Sequence, residues 1–356
     1  LTPVGNESTP FAGALDGHGH VLRNAKINLP GVSRVGLFGY VGETGQIFDL
    51  GVEDVAVSGM TSVGGLAGYS KGTITSCYTT GPVAGSEIGS SNIGGLVGVS
   101  AMGVIQSCYA TGPVSGSDYI GGLVGSIGMG LLNSCSASGS VNGSVSTGGL
   151  VGANSSAVIS SSCATGTVSG TGSIAGGLAG SNTGTITSCY ARGAVSGYNS
   201  VGGLVGQNTG NGLSSCYSTG LVTGTLDLGG LVGLAFNSMG STCYWDRDRS
   251  GRSTSGCGEA RTTDEMTYPY ATNTYAGWDF AMVWATDITG EINESYPYLR
   301  NCAGPPDETE QGCGCGGAAA KHLSFKELLQ RGLGDWLLTG LSLGLLAVYA
   351  SLRQHP

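Results

Sequence analysis

GGLAGSNTGTITSCYARGAVSG, residues 176–197, decides the fold. Three short stretches rich in branched residues are separated by glycine-containing turns. No helical period survives a glycine every few residues, so the stretches are short strands. The same pattern surrounds this copy on both sides. Gly-Gly-Leu-(Val/Ala)-Gly starts seven times, at Gly64, Gly94, Gly121, Gly148, Gly176, Gly202 and Gly229, in steps of 26 to 30 residues. A cysteine follows each copy: Cys77, Cys108, Cys135, Cys163, Cys189, Cys216 and Cys243. A unit that repeats at such a period is a stacked coil.

The predicted fold is all-β: a parallel β-solenoid of about nine three-sided coils, with a period of ~27 residues, a C-terminal cap and a C-terminal α-helix. Each strand pairs in parallel with its equivalent one coil away, about 4.8 Å along the rod, for a length of roughly 40 Å. The Leu of Gly-Gly-Leu and the Val of Gly-x-Val-Ser-Gly line the interior. The glycines are expected to take positive φ at the corners and to let coils approach closely. The division along the chain is 1–62, first coils; 63–245, seven repeats; 246–302, cap; 303–320, Cys/Gly/Pro linker; 321–356, an amphipathic and then hydrophobic helix.

The recurring cysteine is assigned to an interior ladder, where a small apolar thiol fits a tight stack. Inter-coil disulfides are the alternative, since the coil spacing lies inside the permitted Cα range, and a metal ladder is a third. The following residue varies among Tyr78, Tyr109, Ser136, Ala164, Tyr190, Tyr217 and Tyr244. It is placed outside or at an edge, as a sugar-stacking strip or as aromatics shielding a corner.

Charge is unevenly spread. Between Gly64 and Trp245 only Lys71, Glu87, Asp118, Arg192 and Asp227 are charged. Residues 246–310 hold 12 acidic and 5 basic residues, a net of −7 out of −9 for the whole chain. The neutral rod gives no electrostatic footprint for nucleic acid. Its Ser/Thr/Asn coat suits hydrogen bonding to sugars, lateral packing, or plain solvation.

GGLVGxNxGxIxSCYATGxVSG resembles the GLUG repeat, found in bacterial surface proteins, adhesin-like proteins and some immunoglobulin A peptidases. PFAGALDGHGH (Pro10–His20) and VGLFGYVGETGQIFDLGVEDV (Val35–Val55) resemble the coils that precede such arrays. CYWDRDRSG (Cys243–Gly251), TTDEM (Thr262–Met266), GWDF (Gly277–Phe280), VWA (Val283–Ala285) and SYPYL (Ser295–Leu299) resemble the segment that closes them. The resemblance implies an extracellular β-solenoid and nothing catalytic. The peptidase members rely on a separate His-Glu-x-x-His zinc domain, and none of His18, His20, His322 and His355 stands in such a motif. The chain begins without Met in what reads as mid-coil, so further sequence is expected upstream.

Other chemical signals are few, and no cofactor is expected. Asp246-x-Asp248-x-Ser250-Gly251 opens like a calcium loop, but Cys257 stands where the bidentate Glu belongs. His18-x-His20 has no third ligand in reach. Cys257 and Cys302 are a candidate staple for the cap. Cys313 and Cys315 precede the hydrophobic stretch 336–352, at the place where C-terminal sorting signals are processed or lipidated. That stretch is at the lower limit for a membrane span, and packing in an assembly is its other reading. The expected function is a surface-presented solenoid for adhesion or envelope structure, not an enzyme, held at its C-terminus. Its partners are itself, laterally or head to tail, or cell-surface glycans and proteins. A filament subunit and the stalk of a larger secreted enzyme are the rivals.

Overall fold

The computed structural model describes residues 1–304 except 87, 211 and 237–239. They form a parallel β-solenoid whose coil has five short strands where the sequence suggested three. In one turn these are Ala175–Gly176 (face I), Ala179–Asn182 (face II), Thr185–Thr187 (face III), Tyr190–Ala191 (face IV) and Val195–Ser196 (face V). Each pairs in parallel with the next turn, as in Ala175↔Val201, Ala179↔Val205, Ile186↔Leu213, Tyr190↔Tyr217 and Val195↔Val222. The five parallel sheets hold eight to ten strands each, which makes about eight turns among the described residues.

The extra corners lie inside runs that read as single strands. One falls at Ser188, between Ile186 and Cys189, and the others fall within Gly-Gly-Leu. The corner after face III is left-handed at Ser76, Ser107, Ser134, Ser161, Ser188, Ser215 and Thr242, with φ between 46° and 54°. Positive φ at these corners is thus carried by hydroxyl residues, not by glycine as expected. The Gly-Gly pair serves the other expected need, close approach of the coils. A Cβ on Gly149 would collide with the Gly177 carbonyl oxygen of the next turn and sit 3.0 Å from the Ala164 methyl. Glycine is there because two backbones and a side chain meet in that space.

The interior is built from ladders. Leu66, Leu96, Leu123, Leu150, Leu178, Leu204 and Leu231 are fully buried, as are Ile74, Ile105, Leu132, Ile159 and Ile186 one face on. The expected valine ladder, Val83, Val114, Val141, Val168, Val195 and Val222, is buried on face V. A polar ladder closes face II: the buried Asn154 donates to Asn182 at 2.7 Å, and Asn182 donates to Asn208 at 2.7 Å.

The thiol ladder has six members, not seven. Cys77, Cys108, Cys135, Cys189, Cys216 and Cys243 are buried and donate to the carbonyl two residues earlier, at 3.0–3.4 Å. That carbonyl precedes the left-handed residue and also accepts a backbone amide of the preceding turn, as the Ser214 carbonyl does from Ser188 at 3.0 Å. Burial pushes the Cys108 and Cys216 thiols up, so they remain protonated donors. In the remaining turn Ser162 takes the place. Its hydroxyl donates to the Ser160 carbonyl at 2.6 Å and accepts from the Cys135 amide at 3.0 Å. Cys163 is therefore moved one residue on, to face IV, between Ser136 and Tyr190. The cause is local: Cys163 follows Ile159 by four residues, whereas Cys189 follows Ile186 by three.

The cap does more than plug the last turn. Trp245 ends the interior ladder that Ala191 and Ser218 occupy below it. Glu259–Arg261 adds one strand to face IV beside Tyr244–Asp246. Thr254 and Gly256 bond to Gly230 and Val232, and the Arg252 guanidinium donates to the Val222 carbonyl at 3.0 Å. These contacts blunt exposed sheet edges. The segment then runs back along face IV to Ala303, whose amide donates to the Ser134 carbonyl at 3.1 Å.

Two predictions follow from this packing. Cys216→Ser should be tolerated, because Ser162 already fills the same role, whereas Cys216→Val leaves the Ser214 carbonyl only the Ser188 amide as donor and should cost about 1 kcal/mol. Urea denaturation of the two variants measures the difference. Gly149→Ala should lower the denaturation midpoint markedly, while Ser169→Ala on the exposed side of face V should leave it unchanged.

Candidate binding surface

Face IV presents one outward residue per turn, and the cap divides that row in two. Tyr190, Tyr217 and Tyr244 are buried beneath Met266, Tyr275, Trp278, Trp284, Tyr296 and Leu299. Tyr217 donates to the Pro297 carbonyl at 2.8 Å and receives the Asn293 amide at 2.7 Å. Arg192, one of the few charges on the rod, meets Asn293 and Glu294 of the cap, and Arg249 reaches the same Glu294. The hydrogen bond from Arg249 first, and the charge of Arg192, hold the Glu294 carboxyl below its usual range. For these three tyrosines the aromatic row is thus a docking seat for the protein's own cap.

The other two remain at the surface. Tyr78 and Tyr109 are half-buried and stack with ring centroids 4.7 Å apart at an interplanar angle of 3°. Their separation is the turn-to-turn spacing, so the rings lie one above the other along the rod. Tyr78 donates to Glu53 at 2.7 Å, and Arg23 donates to the same carboxylate at 2.8 Å. The Tyr78 and Arg23 bonds hold Glu53 below its ordinary value. Burial first, then the bond to Glu53, pushes the Tyr78 phenol up to about 12.

A second pair lies on face II and escaped the sequence reading. Tyr40 and Tyr69 stack at 4.7 Å, with the Arg34 guanidinium 5.7 Å from each ring centroid. Lys71 pairs with Glu43 at 3.2 Å nearby. The signal was available, since the two tyrosines lie one repeat apart in sequence. It was missed because only Tyr69 follows a full Gly-Gly-Leu-(Val/Ala)-Gly copy, whereas Tyr40 follows the variant Val35-Gly36-Leu37-Phe38-Gly39. Both pairs combine flat apolar rings with fixed charged groups, an arrangement able to stack a sugar ring and hydrogen-bond its hydroxyls.

The remaining sequence candidates fall as follows. The Asp246 carboxylate is fully buried and already engaged. It accepts from the Asp248 and Arg249 amides at 2.9 Å each and from the hydroxyls of Thr263 at 2.7 Å and Tyr296 at 2.5 Å. It caps the short helix Arg247–Ser250 and is not a calcium ligand in waiting. Asp248 accepts the Thr263 amide, and Ser250 accepts the Arg252 amide. Among the described residues no three His, Cys, Asp or Glu side chains gather as a metal site. His18 sits in an exposed turn 3.2 Å from the Asp16 carboxylate. The Cys257–Cys302 staple is not formed: Cys257 packs with the solenoid core near Gly240, while Cys302 lies against Cys163. Cys313, Cys315 and residues 336–352 lie outside the described residues. No helix among the described residues is long and apolar enough to cross a membrane.

No protein-family model matches the chain. It is 35% identical over 103 residues to Halomucin of Haloquadratum walsbyi, covering 28% of this chain and 1% of that protein. A crystal structure of a candidate immunoglobulin A1 protease from Bacteroides ovatus aligns at 20% identity over 81% of this chain and 77% of that one, with a TM-score of 0.46.

The phenols give a pH prediction. Tyr78 and Tyr270 are both pushed up to about 12, Tyr270 by burial above all. An unfolded phenol loses its proton near 10. The folded state therefore binds more protons between these values, and its stability is full below about pH 10 and is lost as pH rises toward 12. A tyrosinate absorbance titration should show late-titrating phenols that become ordinary in denaturant.

Proposed function

We propose that this chain is a non-catalytic, surface-presented solenoid of the GLUG-repeat kind, acting in adhesion or as cell-envelope structure. The observation that carries the reading is the exterior. Ser115, Asn142, Ser169, Ser196 and Thr223 stand in register along face V, each paired with its equivalent in the next turn. Face III carries hydroxyl–amide and hydroxyl–hydroxyl bridges between turns, such as Ser160 to Asn133 at 2.8 Å and Ser214 to Thr187 at 3.0 Å. Such a surface is uncharged, rigid and repetitive. It offers many equal hydrogen-bonding places to a repetitive polymer, the setting in which multivalency raises weak contacts to useful avidity. The similarity to a protein named as a mucin supports an extracellular setting.

The favoured ligands are neutral glycans, with Tyr78–Tyr109 and Tyr40–Tyr69 as stacking places. Attachment through 336–352 belongs to the same proposal. The blunted edges at the cap weigh against head-to-tail growth of a filament through the strands. The test is a glycan array probed with the labelled full chain and with a Tyr78→Ala/Tyr109→Ala variant. The expected outcome is binding to neutral glycans that weakens about ten-fold or more in the variant. Silence on the array, together with long fibres in detergent-free buffer by negative-stain electron microscopy, would overturn adhesion in favour of a filament subunit.

A further inference from the structure

We infer that Cys163 and Cys302 form a disulfide that staples the cap to the middle of the rod. The two sulfurs lie 2.9 Å apart, both buried, although 139 residues separate them in the chain. Three facts point to a bond. First, Cys163 does not serve the interior ladder. In its turn alone a serine, Ser162, has taken the ladder position, and the cysteine is displaced onto the face that receives the cap. Second, the backbone on both sides is already held. The Ala303 amide donates to the Ser134 carbonyl at 3.1 Å, the Ala303 carbonyl accepts the Ser136 hydroxyl, and Cys302 Sγ lies 3.3 Å from the Cys135 carbonyl. Third, the pair sits at the far end of the cap. The aromatic cluster over Tyr190 and Tyr217 holds the nearer part, and Cys163 and Cys302 are both buried members of that same cluster.

The chemistry is an oxidation by thiol–disulfide exchange. A thiolate of one cysteine attacks a disulfide-bearing oxidant, forming a mixed disulfide and releasing one thiol. The second cysteine, as thiolate, displaces the other half. Two protons leave the protein thiols and two electrons reduce the oxidant to two thiols. Because both sulfurs are buried in the folded chain, the exchange belongs to the stage before the cap closes. Such a bond forms in an exported, oxidising setting. It also fixes the backbone at Cys302 and Ala303 beside Ser134–Ser136.

The experiment uses the full chain, refolded with oxidised glutathione, then alkylated in denaturant and mapped by mass spectrometry without reduction. The expected result is a cross-linked peptide pair carrying Cys163 and Cys302, with Cys77, Cys108, Cys135, Cys189, Cys216, Cys243 and Cys257 alkylated. Thermal unfolding should lose about 10 °C on reduction. Cys163→Ser, which copies Ser136 of the neighbouring turn, should abolish that reductant-dependent shift, and Cys257→Ser should leave it intact. A Cys257–Cys302 pair, or Cys163 and Cys302 both alkylated after oxidative refolding, would overturn the proposal.

Discussion

The spacing between turns, about 4.8 Å, is the constraint on which the rest of the molecule depends. Every residue sits above its equivalent, so any side chain placed inside must tolerate a copy of itself at that distance. Leucine, isoleucine, valine and small thiols meet that demand, and so does asparagine, whose amide is donor and acceptor at once. The Asn154–Asn182–Asn208 row shows this, each amide serving the next at 2.7 Å. Where the Gly-Gly backbones and the neighbouring alanine crowd together, no side chain fits at all.

The left-handed corner after face III shows how local strain is accommodated. A serine in that conformation costs of order 1–2 kcal/mol against a glycine. The carbonyl before that serine, already accepting an amide of the preceding turn, keeps a second accepting position for a side chain. One thiol per turn answers that carbonyl and fills the apolar space around it. Serine does the hydrogen bonding equally well, as Ser162 shows, which left one turn free to use its cysteine elsewhere. A shift of one residue thereby converted a buried structural thiol into a partner for the cap.

The cap has two jobs of different physical character. At the end of the rod it satisfies edge groups with one strand, backbone groups of Thr254 and Gly256, the Ser255 hydroxyl that accepts the Val232 amide at 2.8 Å, and an arginine. Along the side it buries aromatic area against tyrosines that would otherwise face water. The tyrosines thus divide by neighbourhood and not by type: Tyr190 and Tyr217 are core because Trp284 covers them, and Tyr78 and Tyr109 are surface because nothing among the described residues does.

The sequence by itself determined the parallel solenoid, its period, and the leucine and valine ladders inside it. Those features are local and are written seven times, so a single misread copy cannot hide them. It also exposed the sparse charge and hydroxyl coat that shape the functional reading. Only the tertiary structure decided that a turn has five strands, because corners made by serine are invisible in runs of strand-forming residues. Only it separated Cys163 from the ladder, since variation in corner length masked the one-residue shift relative to Gly-Gly-Leu. The return of the cap to Ser134–Ser136 and the meeting of Cys163 with Cys302 were likewise beyond the pattern. Each is a single long-range contact with no period, and periodicity is the signal a lone sequence of this kind carries best.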